Sequence, residues 1–260
     1  MSSNKFYNNI AGRYDAMIRW RERTKKERPF FEHLLKERRG TSILDCGCGT
    51  GEQAIAWAEK GYRVMAIDPS PEMIDIAKAK SKERDVEVDF RVLEMEKLDS
   101  EIHGTFDLVS CFGNTLAHVL DETALTRTFK ALWSVTEPGG LVALQLLNYT
   151  RIISHNDRFY PSRHGNLGND EYVFVRFFDF GPTRLTFNLL TLHREDNGWS
   201  IDISKTSHYP WQEPEIRKVL EEAGFEEIID YGDCDFAEFD SDRSKNLIIV
   251  AERGRHDISV

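Results

Sequence analysis

The stretch Ile43-Leu44-Asp45-Cys46-Gly47-Cys48-Gly49-Thr50-Gly51 decides the fold, because it leads from a short apolar run through three closely spaced glycines into an Ala-rich segment. A strand, a glycine-rich turn and a helix in this order form a ligand site at the carboxyl end of a parallel sheet. Glycine permits the tight turn and lets the backbone approach a ligand closely. We therefore expect a ligand-binding loop that begins at Asp45.

The spacing of these glycines helps to decide whether the loop binds a dinucleotide or a ligand without phosphate. The dinucleotide fingerprint G-x-G-x-x-G needs a third glycine where the helix begins, and Gly47 and Gly49 fit the first two positions. Glu52 occupies the third position, where its carboxylate would oppose a pyrophosphate at the helix N-terminus. S-adenosylmethionine carries no phosphate, so the loop favours S-adenosylmethionine over a dinucleotide.

Two acidic residues at the ends of the following strand patterns support this cofactor. Asp68 ends the second pattern, where its two oxygens can accept both ribose hydroxyls. Asp68 is also placed to cap a helix that starts at Pro69-Ser70-Pro71. Glu94 and Met95 follow the third strand pattern, in position to bond the adenine amino group and to pack against the ring.

Residues 41–148 alternate between strand and helix patterns, which predicts a parallel sheet covered by helices on both faces. Pro138-Gly139-Gly140 is expected to turn the chain into the fifth strand. The predicted strands are 41–45, 62–67, 86–93, 106–111 and 141–147, and the predicted helices are 52–59, 71–82 and 122–135.

The two ends of the chain follow different patterns. Residues 1–40 predict a helical cap that Gly40 ends, and residues 149–210 predict an antiparallel insertion over the substrate. The insertion has three strands (172–180, 184–194 and 199–209), with turns at Gly181-Pro182-Thr183 and Asp196-Asn197-Gly198. Residues 211–260 complete the core (41–148) with a helix at 213–223, a Gly224 C-cap and strands at 225–231 and 246–251. The expected fold is a doubly wound α/β protein with a mostly parallel seven-stranded sheet.

The composition of the chain argues against a nucleic-acid-binding protein and against a membrane-spanning protein. The formal net charge of −10 opposes a nucleic-acid partner. Residues 1–5 lack the apolar stretch that a signal peptide is expected to have, and the sequence has no apolar run near ~20 residues. Four cysteines in apolar segments fit a reducing cytoplasm, and Cys46 and Cys48 lack the second ligand pair that a metal site needs. The basic stretch Arg19–Arg28 contains Glu22 and Glu27, which favours a solvated helix face over a phosphate-binding patch. We expect a cytoplasmic monomer or homodimer with a small-molecule acceptor and no membrane or nucleic-acid partner.

Residues Ile43–Lys78 resemble the cofactor half of class I S-adenosylmethionine-dependent methyltransferases, and Trp133–Gly140 and Val219–Phe225 match later landmarks of that superfamily. The similarity covers Phe6–Arg253 and implies a Rossmann-like fold with S-adenosylmethionine as cofactor. The candidate cofactor-binding residues are Tyr14, Arg23, Asp45, Gly47, Cys48, Gly49, Gly51, Asp68, Pro69, Met73, Glu94, Met95, Cys111 and Asn114.

A narrower resemblance links Cys111–His118, Leu147–Ile152 and Ser207–Pro210 to glycine and sarcosine N-methyltransferases. It implies that Tyr14 and Arg23 contact the methionine carboxylate of the cofactor, and that Asn114 and Tyr209 face the substrate. The candidate catalytic residues are Asn114, His118 and Tyr209, and the candidate substrate-binding residues are Asn114, Asn148, Arg151 and Tyr209.

One departure from those enzymes concerns the substrate. They place an arginine directly before the Asn-Tyr pair, where it grips the carboxylate of the amino acid. This chain has Leu147 there, so either another arginine (Arg151, Arg163 or Arg176) substitutes or the substrate is not a small amino acid. We favour the second alternative.

The candidate site residues can also have purely structural roles. Asn114 can tie down the turn after the fourth strand, and His118 and Tyr209 can be packing residues. Arg151 can bind a backbone carbonyl at the mouth of the site. In the functional interpretation an amine attacks the methyl group in line and His118 accepts its proton. Methylation of oxygen or of a macromolecule, and non-catalytic cofactor binding, are the alternatives.

Overall fold

The computed structural model describes residues 3–196 and 198–255. Asn197 lies outside the described residues, so the predicted Asp196–Gly198 turn is described only at its two ends. None of the described helices combines the length and the apolar character that crossing a bilayer requires.

The described part of the chain forms eight α-helices and eleven strands, with 3₁₀ turns at Met95–Lys97 and Thr115–His118. The helices are α1 (Ser3–Met17), α2 (Trp20–Arg38), α3 (Glu52–Ala58), α4 (Pro71–Glu83), α5 (Leu98–Glu101), α6 (Glu122–Val135), α7 (Tyr149–Ser154) and α8 (Glu213–Ala223). The strands are β1 (Ser42–Cys46), β2 (Arg63–Asp68), β3 (Asp89–Val92), β4 (Phe106–Cys111), β5 (Thr136–Leu147), β6 (Arg163–Leu167), β7 (Asp170–Phe180), β8 (Leu185–Glu195), β9 (Gly198–His208), β10 (Phe225–Tyr231) and β11 (Asn246–Arg253).

Seven strands form the central sheet in the order β10-β11-β5-β4-β1-β2-β3. Strands β1 to β5 are parallel, and β11 runs antiparallel to both β5 and β10. The predicted doubly wound, mostly parallel seven-stranded sheet is confirmed. The strand order reverses direction between β1 and β4, and sheets of this kind bind ligands at the carboxyl ends of the strands beside such a reversal.

The central sheet is buried on both faces because helices cover each of them. Every residue of β1 is buried, and successive side chains enter opposite core clusters. Leu44 lies in the cluster that contains Phe129 of α6, whereas Ile43 lies with Phe31 of α2 and Trp57 of α3. These clusters fix β1, and with it the start of the glycine loop.

A second, antiparallel sheet has the order β6-β7-β8-β9. Its inner face packs on α1, where Phe6 and Ile10 meet Tyr172, Phe174 and Leu189. The sequence predicted only three of these strands. The segment Arg163-His164-Gly165-Asn166-Leu167 has no apolar alternation, so β6 gives no strand signal even though it pairs with β7 along its length.

Two local predictions were wrong and one short helix was missed. Pro138-Gly139-Gly140 lies inside β5, and the β4–β5 pairing absorbs the irregularity through a register shift. The short helix α7 was not predicted. Strand β3 starts at Asp89 rather than at Val86.

Candidate active site

A first cavity of about 190 Å³ lies at the carboxyl ends of the central strands, beside the reversal of strand order. Its wall combines the glycine loop, the end of β2, the segment after β3 and the turn after β4 with residues of helices α1, α2, α3 and α6. Most of the candidate cofactor residues meet here: Tyr14, Arg23, Asp45, Gly47, Cys48, Gly49, Asp68, Pro69, Glu94 and Met95.

The glycine loop has left-handed backbone geometry, with φ values of 75° at Gly47, 55° at Gly49 and 78° at Gly51. The amides of Gly47 and Cys48 donate to the carbonyl of Ile67, which ties the loop to β2. A Cβ atom on Gly47 would overlap the side chain of Thr115. The loop therefore needs glycine here for both its conformation and its space.

Gly51 has a different role from the one predicted. A Cβ atom on Gly51 would lie 2.7 Å from the Cβ of Ala77 and 2.8 Å from the Phe90 ring. Gly51 thus allows α3 to pack closely against α4 and β3, and it lies outside the described wall of the first cavity.

Asp68 braces the loop and faces the first cavity. Its Oδ2 accepts a hydrogen bond from the Gly49 amide and its Oδ1 accepts one from the Ser70 amide, both at 2.9 Å. Ser70, not Asp68, caps α4, because the Ser70 hydroxyl accepts from the Met73 amide. Each carboxylate oxygen keeps a second lone pair, which suits a pair of ribose hydroxyls. Burial raises the pKa of Asp68 to about 6, although the two amides partly oppose this.

Asp45 is the penultimate residue of β1 and lines the first cavity from a buried position. Burial raises its pKa to about 7, and Arg23 partly opposes this shift. Its Oδ2 has no hydrogen-bond partner among the described residues. A carboxylate held in this way favours a ligand that brings a donor or a positive charge.

The raised pKa of Asp45 predicts a measurable cost in stability. The folded state binds more protons than the unfolded state between about pH 4 and pH 7, so this group destabilises the cofactor-free protein increasingly as the pH rises. Asp45→Asn cannot ionise. We expect it to raise the free energy of unfolding at pH 8 by about 1–4 kcal/mol, and by clearly less at pH 5. Urea unfolding at both values tests this, and an equal difference at pH 5 and pH 8 would contradict it.

Gln53 is a member of the first-cavity wall that the sequence did not suggest. It is 5 % exposed, and both atoms of its amide group lack hydrogen-bond partners among the described residues. Gln53 follows the glycine loop at the start of α3. Its polar side chain in an Ala-rich helix is the one feature of the sequence that could have indicated a role in the site.

The N-terminal helices bring Arg23 and Tyr14 to the same wall. The Nε of Arg23 donates to Glu27 at 2.8 Å, and its guanidinium lies 5.3 Å from the centroid of the Trp20 ring. The absence of a side chain at Gly113 lets the guanidinium approach the turn after β4. Arg23 is thus positioned from two sides at the cavity edge.

These residues fit S-adenosylmethionine. The wall carries four carboxylates and the arginine Arg23, a balance that suits a ligand with a sulfonium, an ammonium and one carboxylate. Arg23 would hold that carboxylate, Asp68 the ribose, and the unpartnered groups of Asp45 and Gln53 the remaining polar atoms. The four carboxylates are Asp45, Asp68, Glu94 and Glu96.

A second cavity of about 520 Å³ adjoins the first. Tyr7, Tyr14, Arg23 and Gly113 line both cavities, so these four residues mark the junction between them. The second cavity extends between the N-terminal helices, the end of β5 and the inner face of the small sheet.

A chain of polar side chains borders this junction. Asn114 has a left-handed φ of 69°; its Oδ1 accepts from the Leu147 amide and its Nδ2 donates to the Tyr149 hydroxyl at 2.9 Å. The Tyr149 hydroxyl also lies 3.0 Å from Nδ1 of His208. Asn114 therefore ties down its turn, as the structural interpretation holds, and it also lines the second cavity.

His118 lies on the first-cavity side of the junction, with its Nε2 at 3.0 Å from the Tyr7 hydroxyl. Its ring meets the His208 ring edge to face at 4.7 Å. Burial lowers the pKa of His118 to about 4, and burial together with the nearby His118 lowers the pKa of His208. Tyr7, Tyr149 and His208 were not predicted, because only the folded chain brings them together.

The structure places Tyr209 outside the described walls of both cavities. Strand β9 ends at His208, whose side chain points inward, and successive side chains of a strand point to opposite sides. The Tyr209 ring packs 4.0 Å from the ring of Trp211, and its amide donates to the carbonyl of Ala117. His208 occupies the second-cavity position that was expected for Tyr209.

Asn148 and Arg151 do not line the second cavity as the structure describes it. Asn148 caps α7 through its Oδ1, and its Nδ2 donates to the carbonyls of Ser241 and Ser244. Arg151 pairs with Asp157 at 2.7 Å in a groove outside the second cavity. Its partner is thus a carboxylate rather than a backbone carbonyl.

Two candidate cofactor residues lie behind the first cavity rather than in its described wall. Met73 is fully buried between α4 and α1. The Sγ of Cys111 lies 3.6 Å from the Sδ of Met95, so Cys111 supports a residue that does line the cavity. Both act through packing.

Comparison with known proteins agrees with this geometry. A family model described as a methyltransferase domain matches residues 43–140. The chain is 29 % identical to a glycine/sarcosine N-methyltransferase of Halorhodospira halochloris over 96 % of this chain and 90 % of that protein. It is 42 % identical to a ubiquinone biosynthesis O-methyltransferase of Xanthomonas euvesicatoria pv. vesicatoria over 43 % of this chain and 45 % of that protein.

Among solved structures, the CcbJ methyltransferase from Streptomyces caelestis shares the fold with a TM-score of 0.76. The alignment covers 98 % of this chain and 100 % of that one at 19 % identity. The family model thus places a methyltransferase domain at residues 43–140, and the chemistry of the first cavity fits S-adenosylmethionine as the methyl donor of such a domain.

Proposed function

We propose that this enzyme transfers a methyl group to an amine nitrogen of a small molecule bound in the second cavity. The observation that carries this proposal is the junction of the two cavities at Tyr7, Tyr14, Arg23 and Gly113. A cofactor in the first cavity can reach an acceptor in the second only through this junction. The N-methyltransferase named above as a relative supports the choice of nitrogen.

The amine must present a free lone pair, and the site favours its neutral form. Burial lowers the pKa of an amine, just as it lowers those of His118 and His208 here. Both imidazoles are therefore neutral at pH 7 and add no positive charge beside a sulfonium. His118 is therefore not expected to accept the proton of the amine, because a group with a pKa of about 4 is a weak base at neutral pH.

His118 acts instead through Tyr7 as a positioning residue. Burial raises the pKa of Tyr7 well above its usual value, so its hydroxyl stays protonated and can donate to the neutral His118 ring. The lone pairs of the Tyr7 oxygen then remain available at the junction to accept a hydrogen bond from an amine N–H. This contact would turn the nitrogen lone pair towards the first cavity.

The cofactor supplies both the methyl group and the leaving group. The C–S bond of a bound cofactor would break as the amine lone pair forms the new N–C bond, and the methylated nitrogen would carry its extra proton out of the site with the product. The protein contributes position, which is worth on the order of 7–11 kcal/mol in well-oriented reactions. Helix α1 packs on the small sheet beside the junction and would limit the access of water to it.

An oxygen acceptor is the second candidate, since the chain also resembles an O-methyltransferase over part of its length. An alcohol has to lose its proton as it attacks, which calls for a base with a pKa near the working pH. Burial lowers the pKa values of His118 and His208 below that range. The site thus suits an amine better than an alcohol.

Turnover with methyl-labelled S-adenosylmethionine tests the proposal. The panel consists of primary and secondary amines, each paired with the alcohol of the same carbon skeleton, and mass spectrometry locates the label. We expect label on nitrogen and formation of S-adenosylhomocysteine. The Asp68→Ala protein, prepared in the same way, controls for contaminating activity. Label on oxygen alone, or no turnover with any amine, would overturn the proposal.

A further inference from the structure

Two arginines on neighbouring strands of the small sheet share the far wall of the second cavity. Arg163 begins β6 opposite Phe174 of β7, and Arg176 lies two residues beyond Phe174 on the same face. Both also line the outer groove of about 580 Å³ into which the second cavity leads. The pair therefore stands at the boundary between the second cavity and the groove.

Neither arginine has a carboxylate at ion-pair distance among residues 3–196 and 198–255, whereas Arg23 and Arg151 do. The Nε of Arg176 is buried without an acceptor among the same residues, and its Nη2 reaches only the Pro161 carbonyl at 3.4 Å. The guanidinium carbon of Arg176 lies 5.5 Å from the centroid of the Tyr160 ring, a contact that brings no formal negative charge to it.

The electrostatics of the pair also indicate a missing anion. Burial lowers the pKa of Arg176, and the charge of Arg163 lowers it further. Burial lowers the pKa of Arg163 too, and the charge of Arg19 lowers it further, whereas the charge of Glu22 partly opposes this shift. An oxyanion offered to both would gain charge-assisted hydrogen bonds and relieve the repulsion.

We propose that Arg163 and Arg176 form a subsite for an oxyanion, a carboxylate or a phosphate, carried by the methyl acceptor. This inference rests on the proposed function for the statement that the ligand is the acceptor. The identity of the oxyanion is left to the experiment, since guanidinium groups bind both in the same way.

The position of the subsite also sets the shape of the acceptor. The amine nitrogen belongs at the junction near Tyr7, whereas Arg163 and Arg176 lie where the second cavity meets the outer groove. The aliphatic side chain of Leu147 lines both spaces. The acceptor class is thus an amine joined to its acidic group by an apolar spacer longer than the single carbon of an α-amino acid.

A homologous series tests this class. The ω-amino acids from glycine to 6-aminohexanoic acid, and the aminoalkyl phosphates of matching length, are each compared with the uncharged alkylamine of the same length. We expect the ratio of kcat/KM for the acid to that for the neutral amine to rise with spacer length. In Arg163→Gln and Arg176→Gln this ratio should fall by about 10–100-fold.

Arg194→Gln is the matched control, because Arg194 lies on β8 of the same sheet and pairs with Glu171 on the surface. We expect the wild-type ratio in this variant. Glycine as the preferred acceptor, or a ratio that is unchanged in both Arg163→Gln and Arg176→Gln, would overturn the subsite. A preference for either the carboxylates or the phosphates supports it and identifies the oxyanion.

A binding measurement keeps this test separate from that of the proposed function. Glutarate and inorganic phosphate are titrated by calorimetry into protein saturated with S-adenosylhomocysteine, which requires no methylation. We expect binding of at least one anion by the wild type and a loss of at least tenfold in affinity in Arg176→Gln. No binding of either anion, or equal binding by the variant, would overturn the subsite. Absence of amine turnover alone would overturn only the proposed function.

Discussion

Replacing Asp68 with alanine is expected to raise the dissociation constant for S-adenosylhomocysteine by about 100-fold or more. The change removes the acceptor for two ribose hydroxyls, and charge-assisted bonds of this kind contribute about 1.5–3 kcal/mol each. It also removes the carboxylate that receives the amides of Gly49 and Ser70, so the glycine loop loses its brace. Isothermal titration calorimetry measures the change directly.

Asp107→Ala is the control for this experiment. Asp107 also accepts backbone N–H bonds, from Thr41 and Ser42, but at the opposite end of β1. Its pKa is lowered by those bonds and the Ser42 hydroxyl, which outweigh its partial burial. We expect Asp107→Ala to lose stability but to bind S-adenosylhomocysteine as the wild type does. Equal affinities for wild type and Asp68→Ala would remove Asp68 from the cofactor site.

Gly47→Ala is expected to lower the free energy of unfolding by about 2–5 kcal/mol. Two effects combine: the left-handed φ of 75° costs an L-residue about 1–2 kcal/mol, and the new methyl group would overlap Thr115. Because Gly47 also lines the first cavity, S-adenosylhomocysteine binding should weaken in the protein that does fold. Urea unfolding and calorimetry on the same preparation give both quantities.

Gly61→Ala separates the two effects. Gly61 has a φ of 87°, and a Cβ atom there would meet nothing within 4 Å among the described residues. We expect a loss of only about 1–2 kcal/mol, which is the conformational part alone, and unchanged cofactor affinity. If Gly47→Ala were no more destabilising than Gly61→Ala, the close contact with Thr115 would be unimportant.

The sequence predicted the central sheet because its signals are local. Apolar runs that end in glycine or aspartate, and helices that begin after Ser70 or Asp121, can be recognised within about ten residues. The predicted bounds of β4, α6, α8 and β10 agree with the structure to the residue. Strand β6 and helix α7 have no such periodicity, because tertiary pairing rather than pattern holds them in place.

The residues of the candidate site likewise include some that local sequence patterns predict and others that only the folded chain brings together. The glycine loop, Asp68 and Glu94 follow from strand ends that one pattern locates. The junction depends on the contact between Tyr7 of α1 and His118, which are 111 residues apart in the sequence. No local sequence pattern indicates a contact between residues so far apart. His208 lines the second cavity, whereas its neighbour Tyr209 does not. At the end of a strand, a difference of one residue thus decides which side chain faces the site.

The crystal structure of the complex with S-adenosylhomocysteine tests the central claim most directly. We expect both ribose hydroxyls within hydrogen-bond distance of the Asp68 carboxylate, and the sulfur atom at the junction, turned towards the second cavity. A nucleoside bound away from the glycine loop, or a sulfur atom that faces away from Tyr7 and Gly113, would contradict it.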